Sequence, residues 1–135
     1  MRIQSIRSFF AAGVLTLGAA SAWSQVAVIM GPGASALSKD QVANVYLGRS
    51  FDLKPVDLPE SSPLREQFYK KATDRDLNQV KATWSRIVFS GKGQAPKELP
   101  DAAAVKKAVA ADPKAIGYID KAAVDGSVKA VLTLD

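Results

Sequence analysis

The spacing of hydrophobic residues divides residues 25–135 into alternating strands and helices. The residues at 25–30 predict a strand, and the continuous apolar run from Val26 to Met30 is typical of one covered on both faces; Gly31-Pro32-Gly33 ends it. Shorter apolar runs predict strands at 54–58 and 116–119, and alternating residues predict a last strand at 128–134. The segments between these strands carry hydrophobic residues at helical spacing, with a buried stripe on one face.

Four polar residues occupy the N-cap positions of the predicted helices: Ser38, Ser62, Asp76 and Asp101. Gln41 and Gln79 complete capping boxes with the first and third of them, and Pro63 suits a first helical position. The helical residues predicted to face the core are Val42, Val45, Tyr46, Leu64, Phe68, Ala72, Val80, Trp84, Ile87, Val88, Val105, Ala108 and Val109. The order β-α-β-α-α-α-β-β predicts one α/β domain of three layers, α/β/α, around a mainly parallel or mixed sheet.

The first 24 residues have the features of a secretory signal peptide. Arg2 and Arg7 precede an apolar run at 9–20, and small residues allow cleavage after residue 22 or 24. We therefore expect an exported domain at 25–135 without stable insertion in the membrane. An uncleaved membrane anchor is the alternative interpretation, but the apolar run is short for a membrane span.

The composition excludes several classes of function. Removing Arg2 and Arg7 from the 18 basic residues leaves 16 against 13 acidic residues, a surplus too small and scattered to indicate nucleic-acid binding. The sequence contains no cysteine and no histidine, which excludes cysteine nucleophiles, Ser–His pairs and nearly all zinc and haem sites. We therefore expect no enzymatic activity, no cofactor and no metal.

The segment from Glu60 to Tyr69 is the strongest candidate for a binding site. Ser61 and Ser62 precede Pro63 where a strand leads into a helix, and Arg65 follows within one turn. Hydroxyls, helix N–H groups and a guanidinium at one point would form a small anion receptor. The structural alternative is ordinary helix capping with a surface arginine.

Three carboxylates lie near this segment without forming an evident catalytic pair. Asp52, Asp57 and Glu60 are interpreted either as solvated loop charges or as partners of Lys54 and Arg65. An enzyme is therefore the third hypothesis, after the two binding hypotheses below.

Three segments resemble the periplasmic phosphate-binding proteins, the solute receptors of phosphate ABC transporters. They are Leu37-Ser38-Lys39-Asp40-Gln41-Val42-Ala43-Asn44-Val45-Tyr46-Leu47-Gly48, the loop and helix at 56–68, and Ala115-Ile116-Gly117-Tyr118-Ile119. The resemblance implies the type-II periplasmic-binding-protein fold, reduced to about one lobe. It also implies that Ser61, Ser62 and Arg65 bind phosphate or a similar oxyanion, and that an inner-membrane ABC transporter or a sensor is the partner.

The chain departs from the family pattern at Pro63 and Leu64, which stand where the family has glycine and threonine. This removes one N–H donor and one hydroxyl. Charge-assisted hydrogen bonds contribute about 1.5–3 kcal/mol each, whereas immobilising a ligand costs about 4–15 kcal/mol. We therefore expect millimolar or weaker affinity from one lobe. The alternative function is an envelope interaction or scaffold module that keeps the lobe and has lost the ligand.

Overall fold

The computed structural model describes residues 25–135, so the predicted signal peptide at 1–24 lies outside the described residues. The strands are β1 (Val26–Met30), β2 (Lys54–Asp57), β3 (Lys97–Glu98), β4 (Ala115–Asp120) and β5 (Lys129–Leu134). The helices are α1 (Lys39–Tyr46), α2 (Pro63–Thr73), α3 (Leu77–Phe89) and α4 (Ala102–Ala111), and a 3₁₀ turn covers Lys121–Ala123. Within the described part of the chain, no helix combines the length and the apolar character of a membrane span.

The sheet has the order β3-β2-β4-β1-β5 and is mixed. β2 is parallel to β3 and to β4, whereas β1 is antiparallel to both of its neighbours, β4 and β5. One strand therefore runs against the direction of the other four. This confirms the predicted α/β class, and it confirms the buried first strand, since all five residues of β1 are buried.

The short strand β3 was absent from the predicted order, and that part of the prediction was wrong. Its two residues, Lys97 and Glu98, are both exposed and carry no hydrophobic pattern that could have revealed them. They pair with Val56 and Asp57 of β2, and the N–H of Leu99 donates to Asp57 O at 2.8 Å. Contacts with distant parts of the chain, namely these backbone hydrogen bonds and an ion pair between Glu98 and Arg65, place this segment at the edge of the sheet.

Helices cover both faces of the sheet, which gives the predicted three layers. A side chain at Gly117 of β4 would meet Val105 of α4. The next residue, Tyr118, points to the opposite face and stacks on Phe68 of α2, with ring centroids 3.9 Å apart. Alternation along β4 therefore divides the core into an α4 side and an α2 side.

The predicted helix ends are confirmed in position, and three of the four predicted N-cap side chains accept a capping hydrogen bond, whereas that of Ser62 makes none. Both capping boxes are present, and Gly48 adopts the left-handed conformation, φ +70°, just after α1. Val88 is the exception among the predicted core residues, because its side chain is 49% exposed. It lies at the edge of the α3 stripe and lines a surface groove instead of the core.

Gly117 offers a direct test of the packing between β4 and α4. An added Cβ would lie 2.5 Å from Val105 Cγ1 and 3.0 Å from Val56 Cγ2. We expect Gly117→Ala to lower the free energy of unfolding by about 1–3 kcal/mol through overpacking. Urea denaturation measures this change.

Gly126→Ala is the matched control, because nothing lies within 4 Å of the added Cβ. It should change stability by less than about 0.5 kcal/mol. Equal loss in the two variants would contradict the close approach of α4 to the sheet.

Candidate functional site

Three parallel strands bring polar residues together near their carboxyl ends. Asp57 ends β2, Glu98 ends β3, and Tyr118 lies in β4. The register of β2 and β4 pairs Lys54 with Ala115, and its continuation sets Asp57 beside Tyr118. The carboxyl ends of parallel strands are the usual ligand side of an open α/β sheet.

Asp57 is the centre of this cluster and is only 2% exposed. Tyr69 donates to Asp57 Oδ2 at 2.6 Å, and Tyr118 donates a short hydrogen bond to Asp57 Oδ1. The backbone N–H of Leu58 donates to Asp57 Oδ1 at 2.9 Å. Because a buried carboxylate without partners is costly, these donors explain how Asp57 can stand inside the fold.

Aromatic packing holds the two hydroxyl donors in place. Tyr69 and Tyr118 both contact Phe68, and all three rings surround Tyr46 of α1. The Tyr46 hydroxyl donates to the carbonyls of Val56 and Ile116, at 2.8 and 3.2 Å. The ring cluster thus joins α1 and α2 to the two strands that carry the site.

Arg65 is directed into the same cluster and is 7% exposed. Its Nη1 donates to Leu58 O at 2.8 Å and to Glu98 Oε1 at 2.7 Å. Its Nε lies 3.7 Å from Asp57 Oδ1 and is buried without a hydrogen-bond partner. The positive charge of Arg65 is therefore shared between two carboxylates of the same chain.

These contacts shift the protonation equilibria of the cluster. Burial raises the pKa of Asp57 above its ordinary 3.8, although hydrogen bonds from Tyr118, Tyr69 and Leu58 and the charge of Arg65 oppose the shift. Burial also raises the pKa of Tyr69 and Tyr118, and the nearby Asp57 charge adds to this effect. The tyrosines are therefore neutral donors at physiological pH.

The predicted site residues divide into two groups in the structure. Ser61 is exposed in the turn before α2, and Ser62 is its half-buried N-cap residue. The Ser62 hydroxyl makes no capping hydrogen bond, and its backbone N–H donates to Pro59 O at 2.9 Å. Arg65, in contrast, is directed to Asp57, Leu58 and Glu98.

The nearby carboxylates also have definite partners. Asp57 is buried and lies against Arg65. The prediction that it is a partner of Arg65 is therefore confirmed, and the alternative of a solvated loop charge is wrong. Glu60 pairs with Lys81 at 2.9 Å, and Asp52 accepts from Ser50 Oγ at 3.3 Å. Sequence reasoning did not connect the two tyrosines and Glu98 with Asp57. The position of Asp57 at the end of an apolar strand was the available signal, since a charge there needs donors.

A groove of about 480 Å³ opens above the cluster, between α3 and the segment leading into β3. We call it the α3 groove. Its polar lining residues are Asp57, Glu60, Arg65, Tyr69, Lys81, Ser85 and Glu98, and its apolar ones are Val80, Trp84, Val88, Phe89, Ala95 and Pro96. Neither Ser61 nor Ser62 is among them. Among the described residues, no group of three or more acidic side chains is arranged to hold a metal ion.

Comparison with known proteins bears on the fold. No family model matches the sequence, and no curated protein matches it. Several solved structures do match. Three of them are an ABC-type phosphate transport receptor from Vibrio cholerae (20% identity, TM-score 0.62), a putative phosphate ABC transporter substrate-binding protein with bound phosphate from Clostridium perfringens (19%, 0.63), and PstS from Borrelia burgdorferi (12%, 0.55).

The chain has the fold of a phosphate-transport receptor lobe. The matches cover 80%, 80% and 83% of this chain but only 47%, 45% and 47% of the receptors, respectively. The chain thus spans about half the length of the proteins it matches. This confirms the predicted fold and its extent of about one lobe, and at these identities the comparison establishes the fold alone.

Tyr118→Phe tests the buried carboxylate. Without the Tyr118 hydroxyl, the charged form of Asp57 loses a hydrogen bond that lowers its pKa. We expect the pKa of Asp57 to rise further, and the free energy of unfolding to fall by about 1–3 kcal/mol at pH 7. Carboxyl ¹³C NMR titration and urea denaturation measure the two effects.

The pH dependence has a definite sign. The pKa of Asp57 is higher in the folded protein than in the unfolded chain, so the folded protein holds this proton more tightly. The resulting stabilisation is fully present below pH 3.8, the ordinary pKa, and is lost as the pH rises through the folded-state pKa. Tyr118→Phe should therefore cost more at pH 7 than at pH 4. Tyr46→Phe is the control, since its hydroxyl donates to carbonyls and its cost should be the same at both pH values. Identical pH profiles for the two variants would contradict a charged Asp57.

Proposed function

We propose that this protein is a solute-binding protein that binds phosphate or a similar oxyanion at the start of α2. The proposal depends chiefly on Ser62, whose hydroxyl makes no capping bond although it stands at the N-terminus of an eleven-residue helix. Exposed Ser61 precedes it. The likeness to receptors for phosphate supports the choice of ligand. Binding would be reversible, for transport or sensing, with no covalent chemistry and no enzymatic activity.

The affinity should be low, because Arg65 is already engaged. Its Nη1 binds Glu98, and a phosphate would have to displace that carboxylate to gain the charge of the guanidinium. Two serine hydroxyls donating to a charged oxygen offer about 3–6 kcal/mol, and the exposed helix end adds about 0.3–1 kcal/mol. Since immobilisation costs at least about 4 kcal/mol, we expect a millimolar or weaker Kd from this lobe.

Export and partners follow from the same proposal. The segment at 1–24 would direct the protein to the periplasm and be removed after residue 22 or 24, leaving the domain at 25–135. An inner-membrane ABC transporter or a sensor would then receive the ligand. Tighter capture would need a second lobe that closes over the same helix end.

Titration calorimetry with phosphate tests the site at α2. We expect a millimolar Kd for the unmodified protein, with about tenfold weaker binding in Ser62→Ala because one charge-assisted hydrogen bond is lost. Sulfate, titrated in parallel, reports whether the site distinguishes between oxyanions. Ser35→Ala is the control, because Ser35 is an exposed serine in a different loop.

Two results would count against the site. One is the absence of heat at tens of millimolar phosphate. The other is equal affinity in Ser61→Ala, Ser62→Ala and the unmodified protein, which would mean that neither hydroxyl contacts the anion.

A second candidate function is an envelope interaction module without a ligand. The engagement of Arg65 by Glu98 favours it, as does Phe89, which is 96% exposed at the end of α3. We expect such a module to capture a stoichiometric partner from envelope extract, equally with and without phosphate. Phe89→Ser should abolish the capture if this surface makes the contact, and capture only in the presence of phosphate would contradict a scaffold role.

A further inference from the structure

The α3 groove combines an apolar wall with a single buried cation. Trp84 and Val80 form the wall together with Pro96, and Phe89 stands exposed at the mouth. Arg65 lines the groove and also contacts Leu58 O and Asp57, and Asp57 is itself a lining residue. An apolar cavity of this size with a few fixed polar groups is typical of a small-molecule site.

Arg65 already binds a carboxylate at the groove, that of Glu98. The Glu98 carboxylate binds Arg65 Nη1 at 2.7 Å, although the Glu98 side chain is 53% exposed. Glu98 belongs to a two-residue edge strand whose residues are both exposed, and its carboxylate contacts the Arg65 guanidinium. The Arg65 side chain is 9% exposed, so water screens this ion pair only on the Glu98 side, and it is there that another carboxylate can compete for Nη1.

We propose that the α3 groove binds a small amphiphilic acid, a molecule with one carboxylate and an apolar body. Its carboxylate takes the place of Glu98 on Arg65, and its apolar body lies along Trp84 towards Phe89. Glu98 thus acts as a built-in competitor that keeps Arg65 paired while the groove is empty. This site is separate from the one proposed at Ser61 and Ser62, which do not line the groove.

The charge balance favours a monoanionic carboxylate over a phosphate dianion in the groove. The ionisable lining consists of Asp57, Glu60, Glu98, Arg65 and Lys81, with Glu60 paired to Lys81. When one carboxylate replaces another on Arg65, the charge in direct contact with Nη1 is unchanged, and the displaced Glu98 can turn to solvent because its side chain is half exposed. A phosphate dianion would add a negative charge next to buried Asp57, and like charges at close range repel.

The exposed residues beside the groove fit the apolar part of such a ligand. Val88 and Phe89 are 49% and 96% exposed, although both lie on a helix whose other large hydrophobic residues are buried or half-buried. Their contact with a ligand would remove apolar surface from water, which is the main source of affinity in sites of this type. A ligand with a carboxylate and no apolar body should therefore bind much less well.

Calorimetry on the full chain with 4-phenylbutyrate tests the proposal, with 4-phenylbutylamine and acetate as comparison ligands. We expect saturable binding of phenylbutyrate only. Glu98→Gln should bind it about threefold more tightly, because the competing carboxylate is removed. Phe89→Ser should bind it several-fold more weakly, and both substitutions are at exposed side chains.

Ser62→Ala is the matched control, and it should leave phenylbutyrate affinity unchanged while weakening phosphate binding. The proposal is overturned if phenylbutyrate gives no saturable heat in either the unmodified protein or Glu98→Gln. It is also overturned if the amine binds equally well, or if Phe89→Ser has no effect. These outcomes are independent of phosphate binding, so the failure of either site can be recognised by itself.

Discussion

The buried Asp57 carboxylate is the constraint on which the ligand edge of this protein depends. A charge that is 2% exposed must be surrounded by donors, and they come from separate elements: Tyr69 from α2, Tyr118 from β4 and the N–H of Leu58. The hydrogen bonds that the Asp57 carboxylate requires therefore fix the position of α2 on the sheet. Asp57 also turns Arg65 inward, because the guanidinium lies against the same carboxylate.

The inward direction of Arg65 separates its guanidinium from two hydroxyls that are close to it in the sequence. Ser61, Ser62 and Arg65 are neighbours along the chain, yet the serines remain at the helix end while Arg65 joins Asp57 and Glu98. The fold matches receptors for phosphate, but the cation is engaged by the chain's own carboxylates. The shared fold therefore does not determine the ligand, which depends on the groups that surround the Arg65 guanidinium.

Local patterns were enough to predict most of the fold. The capping boxes at Ser38 and Asp76 and the apolar run of β1 each contain their own signal, and all were confirmed. What could not be predicted depends on contacts between distant residues. β3 has no pattern of its own, and the meeting of Asp57 with Tyr118 requires the parallel register of β2 and β4. Only part of the candidate site could therefore be predicted. Its serines lie in one short segment of the sequence, whereas its carboxylates are brought to Arg65 only by the fold.

The position of β1 has a consequence for how this domain can assemble. The first strand of the described chain lies between β4 and β5, and Val26 pairs with Asp120 on one side and Leu134 on the other. Both partners are about a hundred residues away, so the sheet has a high contact order and its formation should be slow. Until β4 and β5 have been synthesised, the most apolar strand has no neighbours on either side. The sheet therefore cannot be completed until β5 has been synthesised, and β1 stays open to chaperones until then.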